Sequence, residues 1–247
     1  ESRTAVMQME FREALVAGGQ ALGVEMRQDM LDLFELHYQA LMECGRQTNL
    51  TSIEGAETIA VKHFLDSLTC SKAIGIKDGW RIIDIGTGAG FPGVPLKVEM
   101  PSLALTLVES SQKRVRFLEL LVSKLGLSDA EVVWGRAEDV GRMERHRENY
   151  DLAVARGVAE LAVLAELCLP FVRVGGAFTA LKGPGVEREL PKSMKSVEIM
   201  GGRMEKIVRM ALPWDYGERC IVTIRKEAST PEKYPRRPGI PGKRPIV

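Results

Sequence analysis

The stretch Asp84-Ile85-Gly86-Thr87-Gly88-Ala89-Gly90-Phe91-Pro92-Gly93 decides the fold. It follows a short β-rich run, and its glycines let the chain turn sharply from a strand into a helix while the backbone approaches a ligand closely. Pro92 or Pro95 suits the first turn of that helix, where a missing N–H costs nothing. The stretch therefore predicts a strand, a binding loop and a helix whose N-terminus faces a ligand.

The spacing of the glycines distinguishes two adenosine ligands. Gly88, Gly90 and Gly93 satisfy the G-x-G-x-x-G pattern of NAD-binding proteins, which alone is weak evidence. Asp84 and Gly86 extend the pattern to the D-x-G-x-G-x-G form of methyltransferases. A carboxylate at Asp84 can hold the ammonium group of S-adenosylmethionine, whereas it would repel a pyrophosphate. The loop therefore favours S-adenosylmethionine over NAD.

Short β-rich runs alternate with helical stretches after the loop, which indicates a parallel sheet with helices on both faces. The last two runs have only residues 212–219 between them, too few for a helical crossover, so they form an antiparallel hairpin at the sheet edge. We predict a class I S-adenosylmethionine-dependent methyltransferase fold, Rossmann-like, with a mostly parallel seven-stranded sheet. The predicted strands are Arg81–Ile85, Leu103–Glu109, Glu131–Trp134, Tyr150–Ala155, Ala177–Leu181, Arg203–Met210 and Cys220–Arg225.

The ends of the chain differ from this core. Apolar residues recur at helical spacing before residue 78, and Asn49-Leu50-Thr51-Ser52 predicts a connection between two helices. Prolines in residues 231–241 predict an extended tail. We expect an N-terminal helical segment (1–78) packed on the core, a methyltransferase core (79–228) and a basic, Pro-rich tail (229–247).

Charge and composition narrow the class of protein. Residues 1–36 carry seven acids and three bases, whereas residues 225–247 carry seven bases and two acids, which is typical of a nucleic-acid contact or of a solvated tail. No apolar run reaches the length of a membrane span. The cysteines and histidines lack metal-ligand spacing, so no metal site is predicted. We expect a cytoplasmic monomer with no membrane partner.

Two acids after later strands complete the expected donor site. Glu109 closes the second strand, where an acid can accept hydrogen bonds from both ribose hydroxyls of an adenosine, although it could also be a surface acid. Ala137 and Glu138 follow the third strand. Glu138 or the backbone beside it could meet the adenine edge, or Glu138 could cap the short helix there.

The motifs that are missing limit the chemistry. The loop after the fourth strand, residues 155–159, lacks the proline-rich, aromatic-ended element used to methylate exocyclic amines. Cys168 lies on an apolar helix, and is better explained as a core residue than as the thiolate that pyrimidine carbon-5 methylation requires. Guanine nitrogen 7 already carries an unshared pair, so its methylation needs orientation but no general base.

Taken together, several motifs resemble the family of bacterial 16S ribosomal RNA guanine-7 methyltransferases, from about residue 30 to the end. The order of the His-Phe-Leu-Asp-Ser-Leu segment, the Gly-Phe-Pro-Gly loop and the Tyr-Pro-Arg-Arg tail is specific to it. The motifs are Asn49-Leu50-Thr51, Lys62 to Leu68, Asp84 to Gly93, Val108-Glu109-Ser110 with Lys113-Arg114, Ala155-Arg156, Leu181-Lys182-Gly183 and Tyr234 to Gly239.

The resemblance implies S-adenosylmethionine as methyl donor and a target guanine in the 530 loop of 16S RNA, in the small ribosomal subunit or an assembly intermediate. It implies that Glu109 binds the ribose and that the following residues line the donor site: Gly86, Phe91, Ala137, Glu138 and Arg156. Arg156 would hold the donor carboxylate or an RNA phosphate, or form a structural salt bridge. His63 and Asp66 would border the guanine pocket; alternatively, the histidine serves packing.

Basic residues near the predicted ligand side and in the tail are candidates for RNA contacts. They are Lys182, Arg236, Arg237, Lys243 and Arg244. Tyr234 could stack on a base, or pack the tail against the sheet. Two alternatives stay open from the sequence: a class I methyltransferase for a small molecule or a protein, and a non-catalytic RNA-binding assembly factor.

Overall fold

A computed structural model describes residues 3–48 and 50–247; Asn49 of the predicted connection lies outside them. Its centre is a seven-stranded sheet of order β3-β2-β1-β4-β5-β7-β6, in which β1 to β5 are parallel and β6 and β7 form an antiparallel hairpin at one edge. This confirms the predicted fold class and the edge hairpin. The strands are β1 Arg81–Ile85, β2 Ala104–Glu109, β3 Ala130–Trp134, β4 Tyr150–Arg156, β5 Val172–Lys182, β6 Gly202–Ala211 and β7 Glu218–Lys226.

The start of strand β5 differs most from its predicted position. It begins at Val172 rather than Ala177, because Gly175 and Gly176 interrupt the apolar run in the sequence. Its buried half, residues 176–181, pairs with β4 on one side and β7 on the other. The carboxyl ends of β1, β2, β4 and β5 thereby meet at one edge of the sheet, where ligands bind in open α/β folds.

Helices cover both faces of the sheet. One face carries α1 Arg3–Leu22, α2 Gln28–Thr48, α5 Gly93–Glu99 and α6 Gln112–Lys124, whose apolar side chains form one core with the sheet. The other face carries α7 Ala137–Val140, α8 Leu161–Cys168 and α9 Leu190–Ile199. Cys168 is fully buried in this second core, as expected.

The helix predicted around residues 59–68 contains an irregularity. It runs as α3 Ala56–Ile59, a π-helical segment Ala60–Leu65 and α4 Asp66–Ala73 without a break. Apolar spacing could not reveal the π-helical segment, since it spans six residues and a helical period is read over about 11–18. Such turns are frequent at functional sites, and this one contains Lys62 and His63.

The C-terminal tail is not extended as predicted. It forms a series of turns and a short helix, α10 Ile240–Lys243. Pro241 occupies an early position of α10, where proline is compatible with a helix. The division of the chain at residues 78 and 228 stays a prediction.

Within the described ranges, no helix is both long and apolar enough to cross a bilayer. The same ranges contain no cluster of three or more His, Cys, Asp or Glu side chains suited to a metal ion.

Candidate functional site

The glycine loop between β1 and α5 has the backbone that its sequence predicts. Gly86, Gly88 and Gly90 have φ values of +69°, +62° and +92°, which side chains rarely tolerate. A Cβ atom on Gly86 would lie 2.8 Å from the Val158 side chain. The loop therefore requires glycine both for its conformation and for the close approach of the chain after β4.

Asp84 organises this loop from beneath. Its buried carboxylate accepts hydrogen bonds through Oδ2 from the Thr87 hydroxyl at 2.7 Å and from the Gly93 N–H at 2.8 Å. Burial raises its pKa to about 6. Oδ1 is buried without a hydrogen-bond partner among the described residues. An unsatisfied buried acceptor is costly. Asp84 does not line the cavity beside the loop, so its carboxylate supports the loop from behind.

Glu109 lies at the end of β2 and is also buried. Oε2 accepts from the Gly88 N–H at 3.1 Å, and Oε1 accepts from the Ser111 N–H at 2.8 Å. Its carboxylate thus fixes the middle of the glycine loop. Arg114 Nη1 lies 3.9 Å from Oε2. A carboxylate can accept about four hydrogen bonds, so acceptor positions remain on Glu109.

An aromatic stack connects the loop to the N-terminal helices. Phe91 lies between the rings of His37 and His63, with centroids 4.7 and 4.6 Å apart, and the Arg156 guanidinium lies 5.1 Å from its centroid. His37 donates from Nε2 to the Ala89 carbonyl at 2.8 Å, and burial lowers its pKa to about 4. No role was predicted for His37 from the sequence. Its position on the buried face of α2 was the signal that could have indicated one.

Arg156, at the end of β4, holds the π-helical segment. Its Nη1 donates to the carbonyls of Lys62 and His63 at 3.0 and 3.2 Å and to Asp66 Oδ2 at 3.1 Å. Its Nη2 donates to His63 Nδ1 at 2.9 Å. The structural salt bridge considered for Arg156 is therefore present, and it brings His63 and Asp66 into one cluster. Their place beside a guanine stays a prediction.

His63 is held in one neutral form. Because Nδ1 accepts from Arg156, the ring proton is on Nε2, which donates to the Thr51 hydroxyl oxygen at 2.8 Å. Burial, followed by the nearby Arg156 charge, lowers its pKa to about 3. Both ring nitrogens are occupied, so His63 is not available as a proton acceptor.

Asp66 joins two arginines from distant parts of the chain. It is buried, and while Oδ2 binds Arg156, Oδ1 accepts from Arg219 Nε at 2.6 Å. Arg219 lies on β7, 153 residues away, and was missed in the sequence analysis because no local pattern relates it to Asp66. The two ion pairs form a buried chain between β4 and β7.

Two adjoining cavities open at this edge of the sheet. The glycine-loop cavity, about 180 Å³, is lined by residues 86–89 and by Leu50, His63, Phe91, Arg114, Arg156 and Gly157. The basic cavity, about 330 Å³, is lined by the cations Lys62, Arg156, Lys182 and Arg219, with Asp66 and His63. His63, Arg156 and Gly157 border both cavities. The two cavities are therefore neighbours that share part of their lining.

Lys182 is the last residue of β5, on the side of the sheet where a ligand was predicted, and it lines the basic cavity. Its ammonium donates to the Ala159 carbonyl at 2.9 Å and pairs with Glu189 at 2.8 Å. The charge of Lys182 is therefore largely balanced within the chain.

Several residues predicted for the donor site do not line either cavity: Asp84, Gly90, Glu109, Ala137 and Glu138. The Glu138 carboxylate is buried and accepts from Arg136 at 3.0 Å and from the Gly239 N–H of the tail at 2.9 Å. Burial favours its neutral form, but these hydrogen bonds outweigh burial and lower its pKa. Glu138 thus anchors the tail.

The tail residues divide into anchors and exposed cations. Arg236 forms a bidentate ion pair with the buried Glu166, with Nη2 to Oε2 at 2.6 Å, so its guanidinium is engaged within the chain. Tyr234 is partly buried against the second core, and its carbonyl accepts from Arg147 at 2.9 Å. Arg237, Lys243 and Arg244 are exposed.

Comparison with known proteins gives a family match over most of the chain. A family model described as GidB, rRNA small subunit methyltransferase G, matches residues 30–215. A protein named ribosomal RNA small subunit methyltransferase G from Pelotomaculum thermopropionicum is 50% identical over 234 residues, 95% of this chain and 98% of that protein. One of the same name from Dictyoglomus thermophilum is 50% identical over 214 residues, 87% and 88% of the two chains.

Solved structures are similar in fold alone. A putative methyltransferase from Bacillus halodurans matches with a TM-score of 0.51 and 13% identity, over 66% of this chain and all of that one. The cyclase SpnF matches with a TM-score of 0.54 and 14% identity, over 80% and 95%. Since one neighbour is described as a cyclase, the fold does not by itself fix the chemistry.

Proposed function

The chain belongs to the rRNA small subunit methyltransferase G family, and from this premise we propose that it transfers a methyl group from S-adenosylmethionine to nitrogen 7 of a guanine in the 530 loop of bacterial 16S ribosomal RNA. The observation that carries the proposal is the pair of adjoining cavities. His63, Arg156 and Gly157 line both of them. Methyl transfer requires donor and acceptor to be bound side by side, and this arrangement suits that need.

The residues around the glycine-loop cavity fit the donor. When bound there, S-adenosylmethionine supplies a methyl group activated by a sulfonium. Glu109 retains acceptor capacity for ribose hydroxyls. The buried Asp84 carboxylate fixes the loop from behind and attracts a cationic donor electrostatically. Gly86 and Gly88 leave the backbone open to close approach.

The remaining residues of the site act by positioning. Guanine nitrogen 7 bonds through its own unshared pair and loses no proton, so a site without a free base is sufficient. His63 is neutral with both nitrogens engaged, and Arg156 and Asp66 fix its orientation. Orientation of this kind can contribute about 7–11 kcal/mol to the barrier reduction.

The RNA contacts in this proposal are made by exposed basic residues of the tail. Arg237, Lys243 and Arg244 are exposed cations of the tail and are available to phosphates. Arg236 instead supports the tail through Glu166, and Tyr234 through its packing. A monomer acting in the cytoplasm is part of this proposal.

The test is transfer of labelled methyl from S-adenosylmethionine to small ribosomal subunits that lack the modification, followed by borohydride and aniline cleavage at 7-methylguanine. We expect cleavage at one guanine of the 530 loop. Label in RNA without cleavage there would contradict the target atom or site. Absence of label under conditions where the donor binds would favour a non-catalytic RNA-binding factor, and transfer to a small molecule or protein alone would favour the other alternative.

A further inference from the structure

The basic cavity carries more positive charge than the chain itself balances. Four cations line it, and Asp66 is the carboxylate among its lining residues. Glu189 balances Lys182 from just outside, at 2.8 Å. Asp66 is shared between Arg156 and Arg219, so it balances one of these two arginines. The buried Asp84 carboxylate also interacts electrostatically with Arg156. The incompletely balanced charges are therefore those of Arg219, which shares Asp66, and of Lys62.

The cations differ in how accessible they are. Arg156 is embedded, with hydrogen bonds to two carbonyls, Asp66 and His63. Arg219 uses Nε for Asp66 and Nη1 for the Glu218 carbonyl, and its side chain is 21% exposed. Lys62 is partly exposed, with its ammonium 5.6 Å from the centre of the Tyr216 ring. Arg219 and Lys62 are thus the cations that a ligand in the cavity can reach.

The chemistry of the target excludes one use of these cations. An arginine facing guanine commonly donates to both O6 and nitrogen 7. A donor on nitrogen 7 would occupy the unshared pair that must form the new bond. Cations beside this base are therefore better placed on its phosphate, where a point charge and a guanidinium both fit.

We propose that Arg219 and Lys62 bind the phosphate next to the target guanosine, so that the basic cavity accepts a whole nucleotide. The inference rests on the proposed function, because it presumes that guanosine occupies this cavity. The phosphate balances the surplus charge of the cavity, and it also offsets the positive charge that a purine gains when nitrogen 7 is methylated. Without that anion, the surplus cations would oppose the charge appearing on the base.

The experiment compares binding of guanosine and of its monophosphates by NMR titration. Guanosine 5′-monophosphate and 3′-monophosphate are used separately, to determine which of the two neighbouring phosphates is bound. We expect one monophosphate to bind the unmodified chain at least tenfold more tightly than guanosine. Arg219→Gln and Lys62→Gln should each reduce this ratio to about threefold or less.

Arg225→Gln is the matched control, because Arg225 lies on the same strand at the far end from the cavity and pairs with Glu205 at 2.8 Å. It should keep the full ratio. Lys62→Gln covers the case in which Arg219→Gln perturbs folding, since the Lys62 side chain makes no hydrogen bond or ion pair to Asp66 in the described structure. A purely structural role would change stability without changing the ratio of affinities.

Equal affinity for guanosine and both monophosphates, absence of saturable binding, or a ratio preserved in both variants would overturn the inference. Methylation of unmodified subunits is measured in parallel on the unmodified chain. Methyl transfer to guanine without a phosphate effect would reject this inference alone. A phosphate effect without methyl transfer would reject the proposed function.

Discussion

The two cavities are built in opposite ways. The glycine-loop cavity is lined largely by consecutive backbone of residues 86–89, and two buried acids, Asp84 and Glu109, hold that loop. The basic cavity is assembled from side chains of the π-helical segment, β4, β5 and β7, and it is rich in cations. Their ligands should therefore differ in charge, a cationic donor in the first and an anionic nucleic acid in the second.

The largest expected effect comes from removing Asp66, because its carboxylate supports Arg156, which lines both cavities. Asp66→Ala removes one buried carboxylate and leaves Arg156 and Arg219 without their partner. Breaking a buried ion pair in this way costs about 3–5 kcal/mol, so we expect a loss of that size in the free energy of unfolding. Urea unfolding measures it.

Glu227→Ala is the control for that experiment, since it removes a carboxylate whose pair with Arg203 is about half exposed. We expect a change below about 1 kcal/mol. Similar losses in the two variants would contradict the buried role of Asp66.

Glu109 allows the donor side to be weakened alone. Glu109→Gln should raise the dissociation constant for S-adenosylmethionine about 10- to 100-fold, because hydrogen bonds to a charged acceptor contribute about 1.5–3 kcal/mol. RNA affinity should remain unchanged. Isothermal calorimetry for the donor and filter binding for RNA make the comparison, with Glu131→Gln, an exposed acid on the adjacent β3, as control. An unchanged donor constant would remove Glu109 from the donor site.

Asp84 should give the donor side a pH dependence that the basic cavity lacks. Burial raises its folded-state pKa to about 6, so its contribution to folding stability is present at low pH and is lost as the pH rises through about 6. A cationic donor requires the ionised form, so donor affinity should rise over the same window, by up to about tenfold per pH unit below 6.

Calorimetry and unfolding between about pH 4 and pH 8 test the opposite signs of the two pH dependences, with Asp84→Asn as the reference. In that variant the portion of both pH dependences due to Asp84 should disappear. The same pH dependence of donor binding in both proteins would assign it to another group.

The smallest expected effect concerns an exposed cation of the tail. Arg237→Ala should weaken RNA binding by a few fold and reduce the salt slope of log affinity by about one, as for one lost phosphate contact. Donor affinity should not change. Arg203→Ala is the control, because Arg203 is an exposed arginine on the edge strand β6. An equal loss of RNA affinity in this variant would indicate a nonspecific charge effect.

Sequence could predict the glycine-loop side well because its determinants are local. The order of Asp84, the glycines and Pro92 lies in ten consecutive residues, and Glu109 follows at the end of the next strand. The basic cavity depends on tertiary structure instead. Arg219 reaches Asp66 only because β7 inserts between β5 and β6, and no sequence period relates the two residues.

The tail shows a signal that sequence held but that was not used. Glu166 stands within the apolar helix α8, and an acid there indicates a buried partner. Its partner Arg236 was predicted to face RNA because its charge and its proline-rich surroundings are typical of an exposed segment. The buried acid Glu166 determines that Arg236, rather than another cation of the tail, faces inward. The sequence alone does not show which cation meets this acid.

The same tail has a consequence for how the protein is made. Glu138 and Glu166 are buried acids whose partners include Gly239 and Arg236, and buried Lys226 donates to the Thr230 hydroxyl. A nascent chain folds from its N-terminus, so Glu166 and Glu138 meet their tail partners only after residues 236 and 239 have left the ribosome. A chain that terminates before residue 230 would leave Glu166 without its ion-pair partner inside an otherwise complete sheet. An uncompensated buried charge of this kind lowers stability, and chains of lower stability are degraded more readily.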